Sequence, residues 1–355
     1  MKMQRSGFIR RLTTLGAVAI AASTVLAACG SGAGGGGGGA AAGSGGKEQD
    51  PSTVSIAIGG ANSFANLPSY IAQSQQFLTD ALKPLHVTPE FVDFSDSTSA
   101  LKSLLAGQTQ YMAGQTSTML NAVASGQAIQ ALAQFYDTDI DLMIARKGLP
   151  TTVPQLAGHT WGITAFGTTN EVSALSVASK YGVAKSQVKL VAVGPPAAYE
   201  PAITSKKVDV IFAGEPGAEN LIASGEGSLV LNLFDPAAVQ QVYGGPYASS
   251  LLMGTSAYAK AHPALTKAVV TAHVKALQWL QQHLSDPATI AAALPKAMRT
   301  TNITAVLKRI TPGLSKDGMV LPESFTNTIK ASEATGFIEG HPNFDLRSIV
   351  NNDER

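Results

Sequence analysis

A single cysteine occurs in the 355 residues, and it stands at position 29, directly after an uncharged apolar run from Leu12 to Ala28. Everything beyond it lacks a thiol, so the folded body has no disulfide and no cysteine-based metal site. Whatever the chain folds into must be held by packing alone. The stretch from about residue 52 to 355 is long enough for two domains of ordinary size.

Ahead of the apolar run lie Lys2, Arg5, Arg10 and Arg11. A basic start, a short apolar core and small residues before a cut site predict a secretory signal over 1–28, too short for a comfortable membrane span. Leu26-Ala27-Ala28-Cys29 resembles a bacterial lipobox, which implies that Cys29 is lipidated. Residues 30–46 are almost entirely Gly, Ala and Ser, with six glycines at Gly34 to Gly39. Such a segment cannot bury enough apolar surface to order itself, so 29–51 is expected to be a tether, its Gly-rich part spanning on the order of 20–25 Å. A phosphate-cradling loop is excluded, because no strand precedes the glycines and no Lys-Ser/Thr follows them.

The chain has 25 basic and 24 acidic residues; removing the signal takes four basic ones and leaves 21 against 24, or about −3. This is not the basic stripe of a nucleic-acid binder. From Val54 onward strands and helices alternate. Strands are expected at 54–58, 86–94, 111–113 and 129–136, with helices at 68–82, 97–107 and 117–125. The pattern restarts at Val153, with strands at 161–165, 188–193, 208–212 and 229–233, and Ser250 to Met253 reads as the chain crossing back. The last third is helical. Alternation of this kind predicts an α/β fold of mainly parallel sheets in two lobes around a cleft, joined by two hinge crossings. Lobe 1 is expected to take 52–146 and 251–355, and lobe 2 to take 147–250.

Four stretches resemble the periplasmic solute-binding proteins of the nitrate/sulfonate/taurine and pyrimidine-precursor type, which serve ABC importers. They are Asn66 to Gln73, Ala100 to Gln108, Gln155 to Ile163, and Lys207 to Val210 followed by Glu215-Pro216. Their order and spacing cover residues 54 to 250. The resemblance implies a class II periplasmic-binding-protein-like fold, a small-molecule ligand, an ABC permease and its ATPase as partners, and a monomer held outside the cell membrane by lipid. The chain departs from the family pattern at Gln110, where an acid is usual, and at His159-Thr160, where two lysines are usual. These positions shape the fold more than the site and leave the ligand's identity open.

In α/β sheets a ligand sits beyond the carboxyl ends of the strands, where helix N-termini offer N–H groups. Three loops occupy such places. They hold Ser63, Phe64 and Asn66; Gln115, Thr116 and Ser117; and Thr168, Thr169 and Asn170. Helix capping alone accounts for each taken singly, whereas three aimed at one cleft point towards binding. Glu215, after the fourth strand end, is placed to hold an amine or ring N–H, or else to face a helix dipole. Tyr247, with Tyr243, is placed to stack on a planar ligand or to pack near a hinge. Asp137, Asp139 and Asp141 alternate without a nearby His or Gly turn, which reads as solvated hinge residues and not as a metal site. None of the three loops contains Lys or Arg, so the expected ligand is a small sulfonate- or amine-bearing compound or a pyrimidine-like ring.

No cofactor or metal is expected, and no catalytic residue. The histidines are scattered, without HExxH or Gly-x-Ser-x-Gly. Two alternatives share the fold: an enzyme of the pyrimidine- or menaquinone-precursor type, and an extracytoplasmic sensor subunit.

Overall fold

The computed structural model describes residues 50–300, 302–340 and 342–353. The expected signal, the lipidated Cys29 and most of the tether lie outside them. The described residues form one compact unit built on two five-stranded sheets.

The first sheet uses β1 (Thr53–Gly59), β2 (Thr88–Phe94), β3 (Tyr111–Gln115) and β4 (Ile129–Gln134). The second uses β5 (Leu142–Arg146), β6 (Thr160–Ile163), β7 (Lys189–Ala192), β8 (Val210–Ala213) and β9 (Gly227–Asn232). Strand β10 (Ser250–Thr255) returns to the first sheet. The orders are β2-β1-β3-β10-β4 and β7-β6-β8-β5-β9. In each sheet the strand that has just crossed from the other lobe slots in antiparallel to both its neighbours, while the remaining pairings are parallel. The sheets are therefore mixed, and each lobe is completed by a strand delivered from the other.

Because β5 pairs with β8 and β9, the chain leaves the first sheet over residues 135–141, ahead of the expected boundary at 146. The return runs over 233–249 and carries the helix Pro236–Tyr243. The expected helix over 68–82 is two helices, Leu67–Ser74 and Phe77–Leu82. Gln76 turns left-handed between them, with φ of 58°, where a polar run has no apolar side chain to bury.

Alternation along β1 sends Ile56 and Ile58 into one core and Ala57 into another. The first core is closed by the helix Pro263–His283, which buries Leu265, Val269, Val270, Leu277 and Leu280. The second lobe has its own core around Trp161, whose ring lies 5.7 Å from that of Phe212 and whose Nε1 donates to Leu156 O. Gly59 ends β1 where the helix Ser97–Leu105 approaches: a Cβ there would lie 2.8 Å from Ser97 Cα. Only glycine fits that approach.

Candidate functional site

The carboxyl ends of β1, β3, β6 and β8 converge on the junction of the two sheets, and helices begin there at Ser97, Thr116, Thr169 and Gly217. The gap between the lobes is lined by Ser63, Asp96, Ser97 and Gln115 on one side and by Asp141, Thr164, Thr168, Asn170 and Tyr199 on the other. Its volume is about 40 Å³, room for water and far below the several hundred Å³ of an organic-ligand pocket. The lobes are closed.

Hydrogen bonds across the cleft hold this closure. Ser117 and Thr169 share a hydroxyl–hydroxyl bond of 2.7 Å, and Thr169 N–H donates to Gln115 Oε1 at 3.1 Å. The hydroxyls of Thr98 and Thr118 donate to Gly167 O at 3.4 and 3.2 Å. Phe64 N–H donates to Glu215 O at 2.9 Å. Gly167 turns with φ of +78°, which aims its carbonyl at the first lobe.

Of the eleven residues expected at the site, Ser63, Gln115, Thr168 and Asn170 line the cavity. Ser117 and Thr169 bridge the lobes beside it. Thr116 is buried, its N–H bonded to Ser249 O and its hydroxyl oxygen without a partner. Asn66 is buried and donates to Gly59 O at 2.9 Å. Phe64 is a core residue whose carbonyl accepts from Tyr136 OH at 2.6 Å. The Glu215 carboxylate is fully buried, accepting from Arg309 Nε at 2.8 Å and from Glu219 N–H at 2.9 Å. Burial pushes its pKa up while the guanidinium beside it pulls down. Tyr247 is also fully buried, stacked on Tyr243 with centroids 4.1 Å apart.

Residues that sequence reasoning did not place at the site are Asp96, Ser97, Thr164, Tyr199 and Asp141. Asp139 and Asp141, expected to be solvated, are both fully buried on the first crossing. Asp139 accepts from Ile140 N–H at 2.7 Å, Ser173 Oγ at 2.7 Å and Tyr243 OH at 2.5 Å. Asp141 Oδ1 accepts from Asn170 Nδ2 at 2.6 Å, whereas its Oδ2 has no hydrogen-bond partner. Burial raises the pKa of both acids, and for Asp141 the charge of Asp139 raises it further. The only sequence signal was a pair of acids immediately before a strand.

No Lys or Arg lines the cavity. Among the described residues no group of three or more His, Cys, Asp and Glu side chains is arranged to hold a metal, and no helix is long and apolar enough to cross a membrane. The arrangement therefore offers hydroxyls, amides, carboxylates and one aromatic ring to whatever enters.

The profile of the family described as NMT1/THI5 like matches residues 64–286. No curated protein matches the sequence. Among solved structures, a protein of Bordetella bronchiseptica RB50 is similar at a TM-score of 0.76 and 24% identity, covering 86% of this chain and 96% of that one. The alkanesulfonate-binding protein SsuA of Xanthomonas axonopodis pv. citri, bound to MOPS, is similar at 0.68 and 16% identity, covering 85% and 99%. The periplasmic nitrate-binding protein NrtA of Synechocystis PCC 6803 is similar at 0.63 and 12% identity, covering 85% and 87%. The architecture is thus that of periplasmic binding proteins.

Proposed function

The chain belongs to the NMT1/THI5-like family, and from that premise we propose that it captures a small organic solute outside the cytoplasmic membrane for an ABC importer. One observation carries the reading: two lobes, each completed by a strand from the other, meet over a cavity at the strand ends and are latched by hydrogen bonds such as Ser117–Thr169. Opening these bonds admits a solute, and closing them around it encloses the solute in a form a permease can recognise. That similar structures include an alkanesulfonate-binding and a nitrate-binding protein supports capture over catalysis.

Lipidation at Cys29 would hold the protein at the membrane as a monomer, beside the permease and its ATPase. A pyrimidine-like ring suits the lining better than a sulfonate, because an aromatic residue, Tyr199, lines the cleft and no cation does.

A thermal-shift screen against taurine, methanesulfonate, nitrate and aminopyrimidines tests capture. A ligand at a hundredfold excess over its Kd stabilises the native state by about 2.7 kcal/mol, an easily read rise in Tm. Turnover of a panel compound without net binding would favour an enzyme on the same fold instead.

A further inference from the structure

We infer that the carboxyl of Asp141 is the anchor of the ligand, and that this cleft takes a nitrogen base held through an N–H donor, an organic cation and not an anion. The inference rests on the capture reading and sharpens it.

Asp141 is fully buried and lines the cavity, with one carboxylate oxygen satisfied by Asn170 and the other, Oδ2, buried with no hydrogen-bond partner. A buried carboxylate oxygen without a donor is costly, and native structures supply one. The neighbouring carboxylates have donors within the protein. Asp139 is saturated by Ile140, Ser173 and Tyr243. Asp96 accepts from Ser99 N–H at 2.8 Å and from the hydroxyls of Ser95 and Ser99. Both add negative potential to a gap that no Lys or Arg lines.

The helix Thr169–Lys180 points its positive end at the same gap, which by itself would invite an anion. That end is already answered by three carboxylates. Glu171 accepts from Gly167 N–H at 2.9 Å, Asp139 reaches the helix through Ser173, and Asp141 reaches it through Asn170. A sulfonate or nitrate would bring a further negative charge beside these acids, with no cation lining the gap to receive it. A protonated base supplies a donor to Oδ2 and a positive charge that favours the ionised form of Asp141. Tyr199, its hydroxyl tied to Thr164 at 2.8 Å, is the one aromatic among the described residues that line the gap.

The test is isothermal titration calorimetry of the full chain with 4-aminopyrimidine, benzamidine and methanesulfonate, repeated on Asp141→Asn, which keeps the acceptor for Asn170 and removes the charge. The expected result is binding of at least one nitrogen base and none of methanesulfonate, with Asp141→Asn weakening the base about ten- to a hundredfold, the loss of one charge-assisted bond. Should Asp141→Asn fail to fold, the wild-type preference for base over sulfonate still decides the matter. Methanesulfonate binding with no base binding, or unchanged affinity in Asp141→Asn, overturns this inference and leaves capture standing. If neither class binds, the inference falls, and capture is decided separately by the wider thermal-shift panel.

Discussion

The hydroxyls of Ser117 and Thr169 meet at 2.7 Å in the buried first turns of two helices, one from each lobe. The two hydroxyls reach each other directly across the cleft, so the bond belongs to the closed form and is broken on opening. Each neutral hydrogen bond of this kind contributes about 0.5–1.5 kcal/mol, and Gln115 adds a second latch through Thr169 N–H. The double substitution Ser117→Ala with Gln115→Ala is therefore expected to shift the balance towards the open form by tenfold or more. Small-angle scattering should show a larger radius of gyration for the variant without ligand. An unchanged radius would show that the latch does not set the closure.

Arg309 holds two buried carboxylates, Glu215 and Glu219, and Asn302 donates to Glu219 at 2.8 Å. Removing the guanidinium strands both acids in the interior, where an uncompensated charge costs about 3–5 kcal/mol. Arg309→Ala should lower urea stability at pH 7 by that order. Arg309→Lys should fall between, because an ammonium cannot fork to two carboxylates at once. The loss should shrink as pH drops, since the stranded Glu215 carboxyl, its pKa already pushed up by burial, then protonates. A uniform loss at every pH would assign it to packing instead.

The parts of the fold visible in the sequence were those with local periodicity. Strand β1 and the helices after it show their buried faces within a few residues of each other. Strand β5 does not, because Leu142 to Ala145 is a continuous buried run and its partners β8 and β9 come more than sixty residues later. The cleft was legible as three Ser/Thr-rich strand ends, and four of the eleven expected residues do line it. Glu215 was placed at the correct strand end, but its partner Arg309 lies 94 residues on, and that pairing turns the carboxylate into a brace. Asp139 and Asp141 look solvated in sequence because alternating acids usually are. Only Ser173, Asn170 and Tyr243, brought in from later elements, reveal them as buried.

Gly59→Ala tests the close approach that shapes the cleft floor. The added Cβ would meet Ser97 Cα and Oγ at 2.8 Å, and the Cα belongs to backbone that cannot swing away. The helix starting at Ser97 must then move, at about 1–3 kcal/mol for an overpacked contact. Ser97 Oγ accepts from Gln115 N–H at 3.1 Å, so the shift should reach the cleft and weaken ligand binding along with stability. Thermal unfolding and a binding titration on the same sample check both. A drop in stability with intact affinity would uncouple the two.

His273 sits fully buried on the helix Pro263–His283, stacked on Phe135 at 5.7 Å, with Nε2 3.1 Å from Ser69 Oγ. Burial lowers its pKa from 6.5 to about 4. The folded state therefore favours the neutral ring, and the unfolded chain binds more protons between these two values. Stability is fully present above about pH 6.5 and is lost as pH falls to about 4, by about 3 kcal/mol at most. Asp139 and Asp141 act in the opposite sense, because their raised pKa values favour the folded state as pH falls. The measured profile sums the two trends, so the contribution of His273 is read by difference from His273→Gln. Urea denaturation at half-unit pH steps should show the wild type losing stability relative to the variant between pH 6.5 and 4. Parallel profiles across that window would mean that the ring titrates normally and is reached by water.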